Sequence, residues 1–134
     1  MSQLPLRIYY EDTDFSGFVY HARYLHFFER ARTETLRELG IDQRALFEAE
    51  GGPFGFVVRH MTIDYRSPAR MDDLVEVETR ISKLAGASLV MDQVLRRGRE
   101  ILCEANVTIA FLARARAARL PSELRDKLVA MHKS

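Results

Sequence analysis

The chain has 134 residues, 47% of them hydrophobic, and a formal net charge of +1. That length and apolar content suit one globular domain spanning residues 1–134, and the near-neutral charge gives no electrostatic case for nucleic acid or a membrane surface as partner. The single cysteine excludes an intrachain disulfide and any CxxC metal site, and it fits a reducing compartment.

The first residues, Met1 to Arg7, lack the apolar run of a signal peptide. Apolar runs elsewhere fall far short of the roughly 20 residues a spanning helix needs. The expectation is a soluble, cytoplasmic protein with no membrane insertion, internal repeat or linker.

Leu6 to Tyr10 reads as a first strand. From His21 to Leu39 the apolar period becomes helical, with Leu25, Phe28, Ala31, Thr35 and Leu39 on one stripe. Arg30 and Glu34 form an i,i+4 pair outside it, and Gly40 stands where a C-terminal cap glycine belongs. Gln43 to Glu50 reads as a short second helix, broken by Gly51-Gly52-Pro53.

Four strand-like runs follow. In the first, Val57, Met61, Ile63 and Tyr65 share one phase while Phe54, Phe56 and Val58 take the other, which predicts a bulge or burial on both faces. After the break at Ser67-Pro68-Ala69-Arg70, Val75, Val77, Thr79 and Ile81 alternate with Glu76, Glu78, Arg80 and Ser82, the pattern of a half-buried strand. Ala85-Gly86 turns into a run with Leu89, Met91 and Leu95 on one face. Arg97-Gly98-Arg99 then turns into Ile101, Cys103, Ala105, Val107, Ile109 and Phe111. Leu124, Leu128 and Met131 predict a C-terminal helix beginning near Ser122. The fold class is α+β, a five-stranded antiparallel sheet curled around one long helix that buries its stripe against it.

Chemistry concentrates between the first strand and the long helix. Asp14 precedes Gly17 and a predicted helix entry, where free backbone N–H groups carry partial positive charge. A carboxylate beside such donors can attack a carbonyl or activate water while the donors hold the oxyanion. Asp14 equally suits a turn or cap. Asp12 shares its side if the extended conformation persists, and would then complete a carboxylate pair. Gly17 suits a positive φ or a close ligand approach. His21 offers a ring and a backbone N–H at the helix entry.

Asp14, His21 and Glu29 lack recognised metal-ligand spacing, so no metal and no cofactor is expected. Ser16, His21 and Asp14 lie too close in sequence for a triad, with no GxSxG elbow. Cys103 falls on an apolar face and reads as core. Arg114, Arg116 and Arg119 suit either a phosphate-bearing ligand or a solvated rim.

The blocks Tyr10-Glu11-Asp12-Thr13-Asp14, Gly17, Val19-Tyr20-His21-Ala22-Arg23-Tyr24 and Phe28-Glu29-Arg30-Ala31-Arg32-Thr33-Glu34 resemble the start of hotdog-fold acyl-CoA thioesterases of the 4-hydroxybenzoyl-CoA thioesterase family. The resemblance is nearest to the branch associated with the Tol-Pal cell-envelope system. Phe56-Val57-Val58-Arg59, Tyr65-Arg66-Ser67-Pro68-Ala69-Arg70 and Ala87-Ser88-Leu89 extend it along the chain.

The resemblance implies a hotdog fold, a homodimer or homotetramer with active sites at a subunit interface, and acyl-CoA as substrate, with acyl carrier protein as a possible donor. It implies Asp14 as the catalytic carboxylate, nucleophile or general base, and the backbone N–H near His21 as the group polarising the thioester. Tyr20, Gly17 and Ser88 would line the substrate site. Phe15-Ser16 departs from the small residues expected there, which bears on the acyl pocket. A hotdog dehydratase or hydratase, and an acyl-thioester or envelope-complex binding module, stand as the alternatives.

Overall fold

Alternation along strand β3 (Leu74–Leu84) sets the inner face of the sheet. In the computed structural model, which describes residues 1–132, Val75, Val77, Thr79 and Ile81 are buried, and their alternating neighbours are half-buried or exposed. β4 (Ser88–Arg97) adds Leu89, Met91, Gln93 and Leu95 to that face. β5 (Glu100–Ala113) adds Cys103, Ala105, Val107, Ile109 and Phe111. With β1 (Ser2–Arg7) and β2 (Phe54–Tyr65) the antiparallel order is β1-β3-β4-β5-β2. A two-residue strand, β6 (Arg116–Ala117), pairs with the end of β5, a small addition to the five strands expected.

Helix α1 (Arg23–Glu38) packs against this sheet in the hotdog arrangement. Its buried face is broader than the expected stripe and differs at its margins. Tyr24, Phe27, Phe28, Ala31, Arg32, Thr35 and Leu36 are buried, whereas Leu25 is 40% exposed and Leu39 half-buried. A curled sheet touches a helix over more than one row of side chains, so Tyr24 and Phe27 displace Leu25 to the margin. Glu34 pairs with Arg37 rather than with Arg30. At the C-terminus Gly40 adopts φ 78°, and Ile41 N–H donates to Leu36 O (2.9 Å), the left-handed cap its glycine allows.

Two boundaries shift. β1 stops at Arg7, and a 3₁₀ turn over Tyr10–Asp12 replaces the expected end of the strand. α1 begins two residues after His21. The mixed phase of β2 does arise from a bulge, between Val58 and His60. β2 pairs with β5, not β3, so the Ser67-to-Asp73 connection crosses from one edge of the sheet toward the other. Helix α2 (Gln43–Glu48) starts at Asp42, whose side chain accepts from Ala45 N–H (3.0 Å). Helix α3 (Ser122–His132) buries Leu124, Leu128 and Met131 as expected. Among the described residues no helix is long and apolar enough to cross a membrane.

Candidate active site

The segment between β1 and α1 is a closed loop pinned at its neck. Tyr20 N–H donates to Asp12 O (3.0 Å), Thr13 bridges Val19, and Asp14 N–H donates to Phe18 O (3.0 Å). Val19 N–H also donates to Ala69 O (2.9 Å), while the hydroxyl of buried Tyr24 accepts from Ala69 N–H (3.0 Å). The loop is thereby stitched to the Ser67–Arg70 turn on one side and to α1 on the other.

Asp12 is the tie that holds the neck. It is 5% exposed. Its Oδ2 accepts from Tyr9 N–H (2.8 Å) and its Oδ1 from Arg23 Nε (2.7 Å). The 3₁₀ turn over Tyr10–Asp12 ends the extended conformation that would have put residues 12 and 14 on one side. Asp12 therefore faces the protein and Asp14 faces out, so the paired-carboxylate arrangement does not form within the chain.

Asp14 opens the tip of the loop. Its carbonyl accepts from Gly17 N–H (3.1 Å), closing a turn, and Gly17 takes φ 85°. A Cβ on Gly17 would meet nothing within 4 Å, so it is the backbone angle and not space that selects glycine. Asp14 Oδ1 accepts from the Ser16 hydroxyl and from Ser16 N–H (2.8 Å). These two bonds, the hydroxyl's the stronger, hold the carboxyl below the usual aspartate value. Asp14 thus has the turn role its residue type suits, and it also keeps an ionised, solvent-facing carboxylate. Phe15, beside it, is fully exposed and packs neither into the protein nor against the loop.

The entry to α1 is uncapped. Its N-cap residue is Ala22, with no side-chain hydrogen bond. Arg23 N–H returns to Tyr20 O (2.8 Å), whereas the N–H groups of His21 and Ala22 have no acceptor among the described residues. A helix start left in this state offers donors and partial positive charge to an incoming oxyanion.

The His21 ring packs against Tyr20 (centroids 4.5 Å) and meets Tyr65 edge-on (6.4 Å). Tyr65 OH donates to His21 O (2.9 Å) and steadies the entry. Burial, and then the Cys103 thiol, hold the Tyr65 phenol above its ordinary value, so it remains a donor. Tyr65 escaped the sequence reading. Its phase along β2 placed it on a face, but nothing local linked it to residue 21.

Asp14, Gly17, Tyr20 and His21 are therefore gathered on one loop and helix entry. Ser88 is not among them. It begins β4 at the hairpin where β3 ends, whereas the loop joins the sheet where β3 begins, through Ile8 N–H to Asp73 O. Within one chain an 11-residue strand separates the two. Ser16, Asp14 and His21 form no triad, since the Ser16 hydroxyl donates to Asp14 while the His21 ring packs against the rings of Tyr20 and Tyr65. Among the described residues no three His, Cys, Asp or Glu side chains converge as metal ligands would. Cys103 is fully buried, and burial pushes its thiol up to about 12, as befits core.

Residues 16–104 match the thioesterase superfamily. An acyl-CoA thioesterase of Haemophilus influenzae, YbgC, is 46% identical over 90% of this chain and 89% of its own. The long-chain acyl-CoA thioesterase FadM of Escherichia coli is 32% identical over 98% of each. The crystal structure of a probable thioesterase from Bartonella henselae superposes with a TM-score of 0.85 at 46% identity, over 89% of this chain and 98% of the other.

The Ser16 bonds predict a measurable shift at Asp14. Removing the hydroxyl in Ser16→Ala should raise the Asp14 carboxyl toward the usual aspartate value. Carboxyl-carbon NMR titration of both proteins checks this, and an unchanged Asp14 would show that Ser16 does not hold it.

Proposed function

The chain belongs to the thioesterase superfamily, and from that premise we propose that it hydrolyses acyl-CoA to the free acid and CoA with Asp14 as the acting carboxylate. The observation that carries this reading is an ionised, solvent-facing Asp14 on the same pinned loop as the unpartnered N–H groups of His21 and Ala22. The thioester carbonyl oxygen would sit against the His21 N–H. Asp14 would either attack the carbonyl carbon or take a proton from an attacking water.

Collapse of the tetrahedral species breaks the C–S bond and expels the CoA thiolate, which takes up a proton. Water completes the acid, directly or by hydrolysing the acyl-Asp14 anhydride. The negative charge that builds on the carbonyl oxygen is what the helix entry is shaped to meet. A single oxyanion donor removed from other enzymes costs about 3–4 kcal/mol. Tyr20 and Gly17 would border the reacting group, and a cytoplasmic setting suits both CoA and an unpaired thiol.

The assembly is a second part of the proposal. β2 is a 12-residue edge strand, with Val57 44% and Val58 46% exposed. A long apolar edge of this kind invites another strand. A second copy paired there would make a homodimer, the basis of any tetramer. It could also bring Ser88 of one copy toward the Asp14 loop of the other.

Two outcomes test these readings. Asp14→Asn, which keeps size and removes charge, should lower thiol release from acyl-CoA by about a hundredfold to ten-thousandfold while circular dichroism stays native. Unchanged turnover would remove Asp14 from the mechanism, and hydrated product without free thiol would point to a hydratase. Val58→Lys should shift light-scattering mass toward the monomer, and an unchanged mass would move the interface elsewhere.

A further inference from the structure

Three consecutive peptide carbonyls mark the entry to α1, and the middle one is held differently. Tyr20 O accepts from Arg23 N–H (2.8 Å) and Ala22 O from Leu25 N–H (3.2 Å). A regular helix would give Leu25 N–H to His21 O, four residues back. Here that donor goes to Ala22, and His21 O accepts instead from the Tyr65 hydroxyl (2.9 Å). Among the described residues this is the one side-chain donor to these three carbonyls, and it comes from the end of β2.

Tyr65 is fixed in that position. It is 45% exposed, so water could satisfy its hydroxyl without the protein's help. Its ring is nevertheless set edge-on against Tyr24 (5.5 Å between centroids) and His21 (6.4 Å). Tyr24 is itself buried, with its hydroxyl accepting from Ala69 N–H. The backbone of Tyr65 lies in register with Cys103 of β5. The hydroxyl thus reaches the helix entry from the sheet and not from the loop.

The bond controls the other end of the same peptide. His21 C=O and Ala22 N–H belong to one planar trans peptide and point opposite ways. Fixing the oxygen fixes the direction of the N–H, and drawing charge to the oxygen makes the N–H a better donor. Ala22 is half-buried with helical backbone (φ −72°, ψ −18°), and its N–H has no acceptor among the described residues. The preceding peptide is clamped in the same manner. Its oxygen, on Tyr20, is held by Arg23 N–H, and its N–H is the unpartnered one of His21. Two neighbouring N–H groups, each fixed from behind, are thereby directed out of the helix start.

We propose that the thioester carbonyl oxygen takes both donors, the N–H groups of His21 and Ala22, and that Tyr65 is the positioning residue that aims the second. The backbone aims the first donor, and no side-chain substitution removes that clamp. Tyr65 supplies the second clamp, and it acts through the Ala22 N–H without touching the substrate. The proposal rests on the acyl-CoA hydrolase reading above, and it adds a donor and the residue that sets it.

The test combines kinetics with amide NMR in wild type, Tyr65→Phe, Ala22→Pro and the double variant. Tyr65→Phe keeps the ring and removes the clamp. Ala22→Pro removes the donor at a φ that proline adopts. Tyr65→Phe should lower kcat by about tenfold with KM unchanged, and Ala22→Pro by about a hundredfold or more, with native circular dichroism. In the Ala22→Pro background Tyr65→Phe should cost nothing further, because the group it aims is gone. A merely structural tyrosine would cost the same in both backgrounds. In labelled protein, S-acetonyl-CoA, a ketone that cannot be hydrolysed, should move the Ala22 amide proton downfield, and Tyr65→Phe should reduce that movement.

Unchanged kcat in Tyr65→Phe, or an equal loss with and without the Ala22 N–H, overturns the role of Tyr65. An Ala22 amide proton that S-acetonyl-CoA leaves in place, in a protein that hydrolyses acyl-CoA, overturns the second donor and leaves the hydrolase reading standing. A downfield movement that depends on Tyr65, in a protein that hydrolyses no acyl-CoA, supports the donor pair and overturns the hydrolase reading.

Discussion

The buried carboxylate of Asp12 is the constraint on which the candidate site depends. It meets Arg23 Nε at 2.7 Å and Tyr9 N–H at 2.8 Å, while its own carbonyl receives Tyr20 N–H at 3.0 Å. These bonds fasten the chain just past β1, the far arm of the loop and the first residue of α1 to one residue, the first and last through its carboxylate and the loop arm through its main-chain carbonyl. Hydrogen bonds to charged groups contribute roughly 1.5–3 kcal/mol each, enough to offset the ordering of several backbone residues at about 1–2 kcal/mol apiece. The loop tip carrying Asp14 is therefore presented from a fixed neck, and the helix entry beside it keeps its donors free because no side chain caps it.

The two aspartates divide the labour by environment. They are two residues apart and chemically identical, yet one is sealed against Arg23 and the other stands in solvent with Ser16 on a single oxygen. The 3₁₀ turn that ends at Asp12 produces the difference. A short helical turn rotates the chain so that residues two apart no longer share a side, which strand geometry would have required.

Much of the architecture was legible because it rests on local periodicity. Val75 to Ile81, Leu89 to Leu95 and Cys103 to Phe111 alternate as the pleat demands, and Gly40 marks a true helix end. What stayed hidden depends on contacts distant in sequence. Nothing near β2 announces that it pairs with β5, or that Ser88 stands a strand length away from Asp14. Nothing near Tyr65 announces His21. Gln93 was a visible signal of another kind. It is the polar interruption in the apolar series Leu89, Met91, Leu95, and the structure shows why it is there, as the clamp on a buried arginine. The same series read only for its apolar members misses this buried polar cluster.

A crystal structure with a non-hydrolysable acyl-CoA analogue tests the central claim most directly. Hydrolysis by Asp14 at the helix entry requires the analogue's carbonyl oxygen at about 2.7–3.1 Å from the His21 backbone nitrogen. It also requires the Asp14 carboxylate at about 3–3.5 Å from the carbonyl carbon, or one water away from it. An analogue bound with its carbonyl remote from His21, and with Asp14 still engaged only by Ser16, would contradict it.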